Sequence, residues 1–561
     1  MNSLITKPGV HVLILLGAIA SFVFFQFFYP YHLFYQEQNQ LFLFSWDYIT
    51  TYLDKPGWLA CLTGDFLTQF YYYRYAGPTI LTLSILMAGY NVRCGVEDAD
   101  IKGTWIPYTI AIAVMTMLVC FSLHYDYRLS SIIAIAGGAN VFRFSTKILV
   151  STRMSIKKLE NQALRHTSID GTRLPQWITA VSIFISMLVC HWFFGCGMWI
   201  YAALVLIGCI KYINKPGNYT RLAAIAIPLF IIILDKRLYF IDFHTLYTYP
   251  GLGKFVKPQM DLEKTLAADC EYYFGNYNKV VNMIEKDKEP NSYMKFYYNL
   301  ISAQGRSLPA VLLKFPSNNL GTFETLGPDT PSLTIKTLNE LYWLLGDMTF
   351  CERAAMLANV CSPENRNIRM MKRLAEINLV KGDYDAARKY LRILQKTFVW
   401  SRWANRAFDA LGKKASSYDK SLLQQYIDKR PYLNTRDTLR LNDNCHTIMS
   451  ELMESNPNNN IAINYMLCSD LLLKDMETFK HDYDAYYLKQ QNVTYEKLYQ
   501  EALAIYLAGT KAPPAEWAKY IKRQDVLQRF KLYNEQRGNP AFKDTYWYYF
   551  DKAEAPKLNN N

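Results

Sequence analysis

The sequence carries none of the short motifs that announce a chemistry. It has no Walker or Rossmann glycine pattern, no nucleophile elbow, no HExxH and no kinase signature, so the nucleotide, hydrolase and zinc-protease mechanisms tied to those patterns are excluded. Its 11 cysteines include no CxxC and no Cys/His zinc spacing. They read as small buried hydrophobes and leave the redox compartment open. Acids are scarce early on: through Phe240 there are 11 Asp/Glu against 18 Lys/Arg. The positive excess stands in loops beside apolar runs and forms no basic helix face with a reader motif, so nucleic acid is excluded as a partner. Beyond Asp261 the Val/Ile alternation of strands is missing too, which leaves an all-α chain.

What is present early on is a series of apolar runs. Val10–Tyr29 is the first, with Lys7 ahead of it, Pro30 behind it and no small-residue cleavage site, and it reads as a retained signal anchor. Further runs lie at 77–92, 106–123, 129–148, 177–194, 198–210 and from 222 onward. Together they predict about seven spans. Gly137 and Gly138 predict close helix approach in the fourth. Between the fourth and fifth runs lies the stretch Arg143–Arg173, with seven Lys/Arg against Glu160 and Asp170. Lys/Arg excess in short loops marks the cytoplasmic side. Counting from that loop puts the N-terminus inside, and residues 31–75, the turn at 124–128 and everything after about 240 outside. In a bacterial cell this means an inner-membrane protein with a periplasmic C-terminal domain. Within 31–75, residues 41–53 and 57–73 read as amphipathic helices lying in the interface, joined by Lys55-Pro56-Gly57.

The predicted domains are therefore a membrane domain over 1–245, a soluble helical domain over 246–550 and a disordered tail over 551–561. The soluble part repeats one signature: a small residue, a Gly-Asp or Gly-Asn turn about seven positions on, then another small or apolar position. Ala375, Gly382-Asp383-Tyr384 and Ala387 show it best; Gly346-Asp347-Met348 and Gly275-Asn276-Tyr277 are further copies. A variant with Lys for Gly stands at Lys474-Asp475-Met476. Such units resemble tetratricopeptide repeats, helix–turn–helix units of about 34 residues. That resemblance implies stacked helix pairs whose surface takes a protein partner.

Candidate site residues follow from topology. Glu37, Asp47 and Asp65 fall in the first outer loop, Asp126 and Arg128 in the second outer turn, and Asp235, Lys236, Arg237 and His244 at the exit of the last span. The acids Glu37, Asp47 and Asp65 suit catalysis, or a divalent metal ion if the protein is an enzyme; no other cofactor is indicated. Arg128, Lys236 and Arg237 suit a lipid phosphate, to which Arg offers a two-pronged fork. His191 is the one histidine at membrane depth, where an ionisable group is a functional candidate by default.

Seven spans, a large first outer loop with interfacial helices, and acids soon after the first span resemble the membrane module of GT-C type glycosyltransferases. That resemblance implies a polyprenyl-phosphate sugar as donor and a catalytic acid in the first outer loop, with Glu37 or Asp47 the best match. The sequence departs from the pattern in having no paired acids just after the span. The whole chain resembles an uncharacterised family of bacterial multi-span proteins with tetratricopeptide-like tails. Two functions are expected from these features: a membrane scaffold presenting a periplasmic repeat surface in envelope assembly, or a membrane glycosyltransferase. Membrane lipids are the one partner common to both.

Overall fold

The computed structural model describes residues 7–99, 105–163, 176–210, 217–239, 241–305, 307–315, 330–412, 415–433, 445–490 and 493–554. Among the described residues every regular element is helical. The tail expected to be disordered lies, from residue 555 on, outside the described residues, as does the end of the basic loop over 164–175. The chain forms two compact units: Met1–Met260 with Lys396–Val399, and Asp261–Gln395 with Trp400–Asn561.

The first unit starts with α1 (Lys7–Val23), which runs on through one π-helical turn to Phe28. Tyr29 leaves the helical region ahead of Pro30, as the crowding of a residue before proline requires. Then come α2 (Tyr31–Gln38), α3 (Trp46–Thr50), α4 (Trp58–Thr68), α5 (Ala76–Asp98), α6 (Ile106–Phe121) and α7 (Leu129–Ala163). After them come α8 (Gln176–Phe194), α9 (Met198–Ile210), α10 (Gly217–Tyr239) and the short α11 (Phe243–Thr248). Among the described residues four stretches are long and apolar enough to cross a membrane: Gly9–Phe28, Ala76–Asp98, Leu129–Thr152 and Trp177–Cys209. The last contains the bend Gly195–Gly197 between α8 and α9. α6 and Tyr219–Leu234 are apolar but shorter. Val12, Leu13, Leu15, Leu16 and Ile19 are exposed along α1.

Small residues set the packing, because in lipid helices gain by touching closely rather than by leaving water. A Cβ on Gly64 of α4 would stand 2.6 Å from the Cα of Ser130 at the start of α7. A Cβ on Gly138 would collide with the carbonyl oxygen of Gly197, and one on Gly137 with the ring of Phe194. Ala60, Cys61, Gly64 and Thr68 make the buried side of α4, which packs on α7 and α8. The segment expected as one helix over 41–53 is helical only from Trp46, where Ser45 is extended ahead of it. At the far end of α5, Arg143 reaches Asn91 at 3.2 Å and Asp98 at 3.5 Å, so the Arg93–Asp98 region and the start of the basic stretch share one end of the bundle.

The second unit runs α12 (Met260–Tyr273), α13 (Tyr277–Lys286), α14 (Ser292–Gly305), α15 (Leu308–Val311), α16 (Ser332–Leu345), α17 (Met348–Val360), α18 (Ile368–Lys381) and α19 (Tyr384–Leu394). It continues with α20 (Ser401–Ala410), α21 (Ser417–Ile427), α22 (Cys445–Ser455), α23 (Asn460–Leu473), α24 (Met476–Asp482), α25 (Lys497–Gly509), α26 (Pro514–Tyr520), α27 (Gln524–Glu535) and α28 (Tyr546–Lys552). Three helix pairs share one register. α16, α18 and α23 each span 14 residues, then one left-handed residue, then an Asp that caps the next helix. The left-handed residues are Gly346 (φ 86°), Gly382 (φ 81°) and Lys474 (φ 60°). Asp347, Asp383 and Asp475 accept the backbone N–H of Phe350, Ala386 and Thr478 at 3.1, 3.1 and 3.0 Å. Each cap is worth about 1 kcal/mol. Glycine takes the left-handed turn without strain and lysine does not; Lys474 has compensation, because its ammonium donates to the Phe550 carbonyl at 2.8 Å. Leu338, Leu341, Ile377 and Leu391 are fully buried between the helices, each adding roughly 1.5–3 kcal/mol relative to exposure.

Candidate functional site

In the first unit the sequence-derived candidates meet where α2 packs against the turn between α6 and α7. The Gln36 amide donates to the carbonyls of Tyr125 at 2.9 Å and Tyr127 at 3.1 Å, and the Gln40 amide donates to the carbonyl of Asp65 at 3.0 Å. Glu37 lies between these two anchors and is 2 % exposed. Its Oε1 has no hydrogen-bond partner among the described residues, and burial pushes its carboxyl up to about 8. It is therefore mostly protonated at neutral pH, an acid that can give a proton before it can take one. One turn earlier His32 is buried against the rings of Tyr29 and Phe25. Burial pushes it down to about 3, against the smaller opposing effect of the Tyr29 and Ser122 backbone carbonyls, which accept from the ring. α2 thus holds two ionisable groups in their neutral forms.

Asp65 has a different setting. Its Oδ2 accepts from the Tyr52 hydroxyl at 2.8 Å, and Tyr52 in turn meets the Tyr48 hydroxyl at 2.9 Å. Asp65 and Arg128 both act electrostatically on the buried Cys61 thiol, in opposite directions, while burial dominates and raises it. Glu37, Asp65 and Arg128 are therefore brought to one region of the bundle. Asp47 is exposed in the first turn of α3. Lys236 and Arg237 are exposed in the last turn of α10, with the Lys236 ammonium 5.1 Å from the centre of the Phe243 ring; no described contact joins either to Glu37 or Asp65. His191 is buried and its Nε2 meets the Leu246 carbonyl at 3.1 Å, so it fastens α11 onto α8. Among the described residues no group of three His, Cys, Asp or Glu side chains is arranged to hold a metal ion.

The second unit contains a polar cluster that the sequence reading missed. Arg369 on α18 makes a two-pronged pair with Asp269 on α12, at 2.7 and 2.9 Å, and reaches Glu340 on α16 at 2.9 Å. Arg373, one turn on, reaches the other oxygen of Glu340 at 2.6 Å and Glu376 at 3.4 Å. Lys372 closes the chain on Glu376 at 2.7 Å. All six side chains are buried or nearly so. Each cation also faces a ring: Arg369 over Tyr273 at 4.6 Å, Arg373 over Trp343 at 4.4 Å, and Lys372 over Trp400 at 4.6 Å and Trp403 at 5.2 Å. Despite the opposing effect of burial, the guanidiniums hold Glu340 below the usual carboxylate range. The sequence held a signal only at Glu340, which is followed by the apolar run Leu341–Leu345; Arg369 and Arg373 stand in a mixed stretch with Arg366, Lys372 and Glu376.

No curated protein and no solved structure matches this chain. The model of a family of unknown function, DUF6057, matches residues 5–553, nearly the whole chain, and the protein belongs to that family.

Proposed function

We propose that this protein is a multi-pass membrane scaffold whose second unit is a tetratricopeptide-like surface for protein partners. The observation that carries this reading is the threefold register in α16–α17, α18–α19 and α23–α24: a 14-residue helix, a left-handed residue and a capping Asp. A unit repeated in that way cannot bury its apolar face alone and is built to stack, and stacked units expose extended surfaces that fit peptides or helices. The apolar helices of the first unit anchor it. Splitting Trp177–Cys209 at its Gly195–Gly197 bend and adding α6 and Tyr219–Leu234 to the other long stretches gives seven crossings. With Arg143–Arg173 inside, the second unit faces outward, into the periplasm of a bacterial inner membrane.

Two experiments test it. A reporter active only outside the cytoplasm should work when fused after Pro250 and be silent at Asn161; the reverse pattern moves the second unit to the cytosol. A photo-crosslinker placed in intact cells at Arg353, Met356 or Lys389, all exposed, should give a discrete product with one partner. Its absence at every position, at normal protein abundance, removes the scaffold.

The grouping of Glu37, Asp65 and Arg128 favours a second reading, a glycosyltransferase using a lipid-phosphate-linked sugar. Its support is the buried, protonated Glu37 carboxyl with an unpartnered oxygen. Lipid-linked glycan should then accumulate both on deletion and in Glu37→Gln. An unchanged lipid-linked glycan profile in the deletion strain ends that reading.

A further inference from the structure

The charge cluster of the second unit does not balance. Within it, Arg369, Arg373 and Lys372 face Asp269, Glu340 and Glu376, three cations against three carboxylates, all joined by ion pairs. A fourth cation is set against this closed set. Lys429 follows α21, and its ammonium lies 4.9 Å from the centre of the Trp343 ring, the same ring that Arg373 covers. It is half-buried and makes no ion pair among the described residues. Burial, and then the neighbouring Arg373 charge, hold its ammonium below the usual lysine range. Such an ammonium has given up water with no ion pair in return and only the smaller attraction of Glu376 and Glu340 against that loss, a costly arrangement that an incoming anion would relieve. Arg430, the next residue, has its own use: it donates to the Val380 carbonyl at 3.0 Å and to the Tyr384 hydroxyl at 2.8 Å. The surplus is therefore at Lys429, beside an indole that is only half-buried and next to the Tyr426 ring, which meets Trp343 edge-on at 6.5 Å.

We propose that Lys429, on Trp343 and beside Arg373, is the anchor for one carboxylate of a bound acidic peptide segment. A single carboxylate matches the single surplus charge, and the half-buried Trp343 indole offers ring surface for the residue next to the acid. The cluster explains why such a site would be sharp. Glu340 and Glu376 fix Arg373, and Arg373 with Trp343 fixes where Lys429 can sit, so the ligand meets a pre-ordered cation rather than a free lysine. This deepens the scaffold reading and rests on it for the identity of the ligand as a protein segment.

The test uses the full-length protein in detergent, where both membrane sides are open. Lys429 is acylated with a limiting amine-reactive ester, and the extent is read by mass spectrometry against Lys420, which is exposed on α21. An N-acetylated oligo-aspartate peptide should slow labelling of Lys429 at least fivefold and leave Lys420 unchanged; an N-acetylated oligo-asparagine peptide of equal length, which has no amine to consume the ester, should slow neither. Binding of the fluorescently tagged oligo-aspartate should weaken tenfold or more in Lys429→Met and be restored in Lys429→Arg. Trp343→Leu should weaken it while Lys429 still labels. Equal protection by inorganic phosphate at the same charge concentration, or by anionic lipid vesicles alone, overturns the peptide assignment. Unchanged labelling of Lys429 at millimolar oligo-aspartate overturns the site. If the site fails while crosslinks from Arg353, Met356 or Lys389 persist, only this inference is lost; if those crosslinks are also absent, the scaffold reading falls with it.

Discussion

Removing Arg369 should be among the most damaging single changes to the second unit. Arg369→Met keeps much of the stem volume but deletes the fork on Asp269 and the bond to Glu340. Asp269 is fully buried and would keep only the Tyr297 hydroxyl, at 2.5 Å. Breaking a buried pair by removing one partner costs about 3–5 kcal/mol, because the other charge stays behind uncompensated. A unit of roughly 300 residues unfolds with an entropy near 0.6 kcal/mol/K, so the melting temperature should fall by about 5–8 °C. Tryptophan fluorescence is the suitable signal, since Trp343, Trp400 and Trp403 all face cations of the cluster. The double variant Asp269→Asn/Arg369→Met should be less damaged than the two single losses added together, by a coupling of about 0.5–3 kcal/mol. Arg369→Met melting within 1 °C of the unmodified protein, or strict additivity in the double variant, would refute the reasoning.

Local features of this fold were legible and distant ones were not, and the reason is how far each signal travels along the chain. Gly-Asp is a turn instruction written in two residues: glycine takes φ near 80° and the Asp side chain reaches the next helix's free N–H. Lys474 could be recognised as a substitute because Asp475 kept its place in that instruction, and it does adopt the same turn. The Asp269–Arg369 pair spans 100 residues, and a charged residue on a helix reads as a solvated face unless its far partner is known. The distinction lay in the neighbours, since Glu340 is followed by Leu341 and Tyr342, all three buried. In the first unit, α4 was read as a helix lying in the interface because it is amphipathic. Its stripe of Ala60, Cys61, Gly64 and Thr68 is buried, with Gly64 against Ser130 of α7, and small residues one turn apart are a contact surface as much as an apolar one. α7 continues to Ala163, beyond its apolar part, because Lys, Arg and Glu are good helix formers in their own right. Of the candidate site, the chain order alone placed Glu37, Asp65 and Arg128 on one side. Burial of Glu37 could not be read from a run of polar neighbours, Gln36, Gln38, Asn39 and Gln40, because the Gln36 and Gln40 amides spend themselves on backbone carbonyls of other segments.

Ala387 is fully buried on α19, so Ala387→Trp should overfill its helix pair and cost about 1–3 kcal/mol or more, read as a lower melting midpoint of the second unit; an unchanged midpoint would contradict that packing. The pH dependence of the same unit is set by acids and one histidine around α22–α24. Asp470 is pushed up to about 8, first by burial and then by the Asp482 charge. Glu501 is pushed up to about 7, mainly by burial. His446, whose Nε2 meets Asp482 at 2.7 Å, is raised above its usual value by that hydrogen bond. A carboxyl with a raised value keeps its proton in the folded state, so its contribution is complete below about pH 4 and is lost as pH rises toward the folded value. A histidine with a raised value contributes fully below about 6.5 and loses that contribution as pH passes its folded value. All three act with the same sign, and stability should decline from about pH 4 to 8, at a slope of up to about 1.4 kcal/mol per pH unit for each of the two carboxyls in its window and by less for the half-exposed His446, whose interaction solvent screens. Asp470→Asn cannot titrate, so it should flatten the decline over the whole of that range, whatever it does to the absolute midpoint. His446→Gln should flatten it only above about pH 6.5. Urea midpoints measured across pH 4–8 separate the two, and a slope in Asp470→Asn equal to that of the unmodified protein would show that Asp470 is already ionised in the folded state.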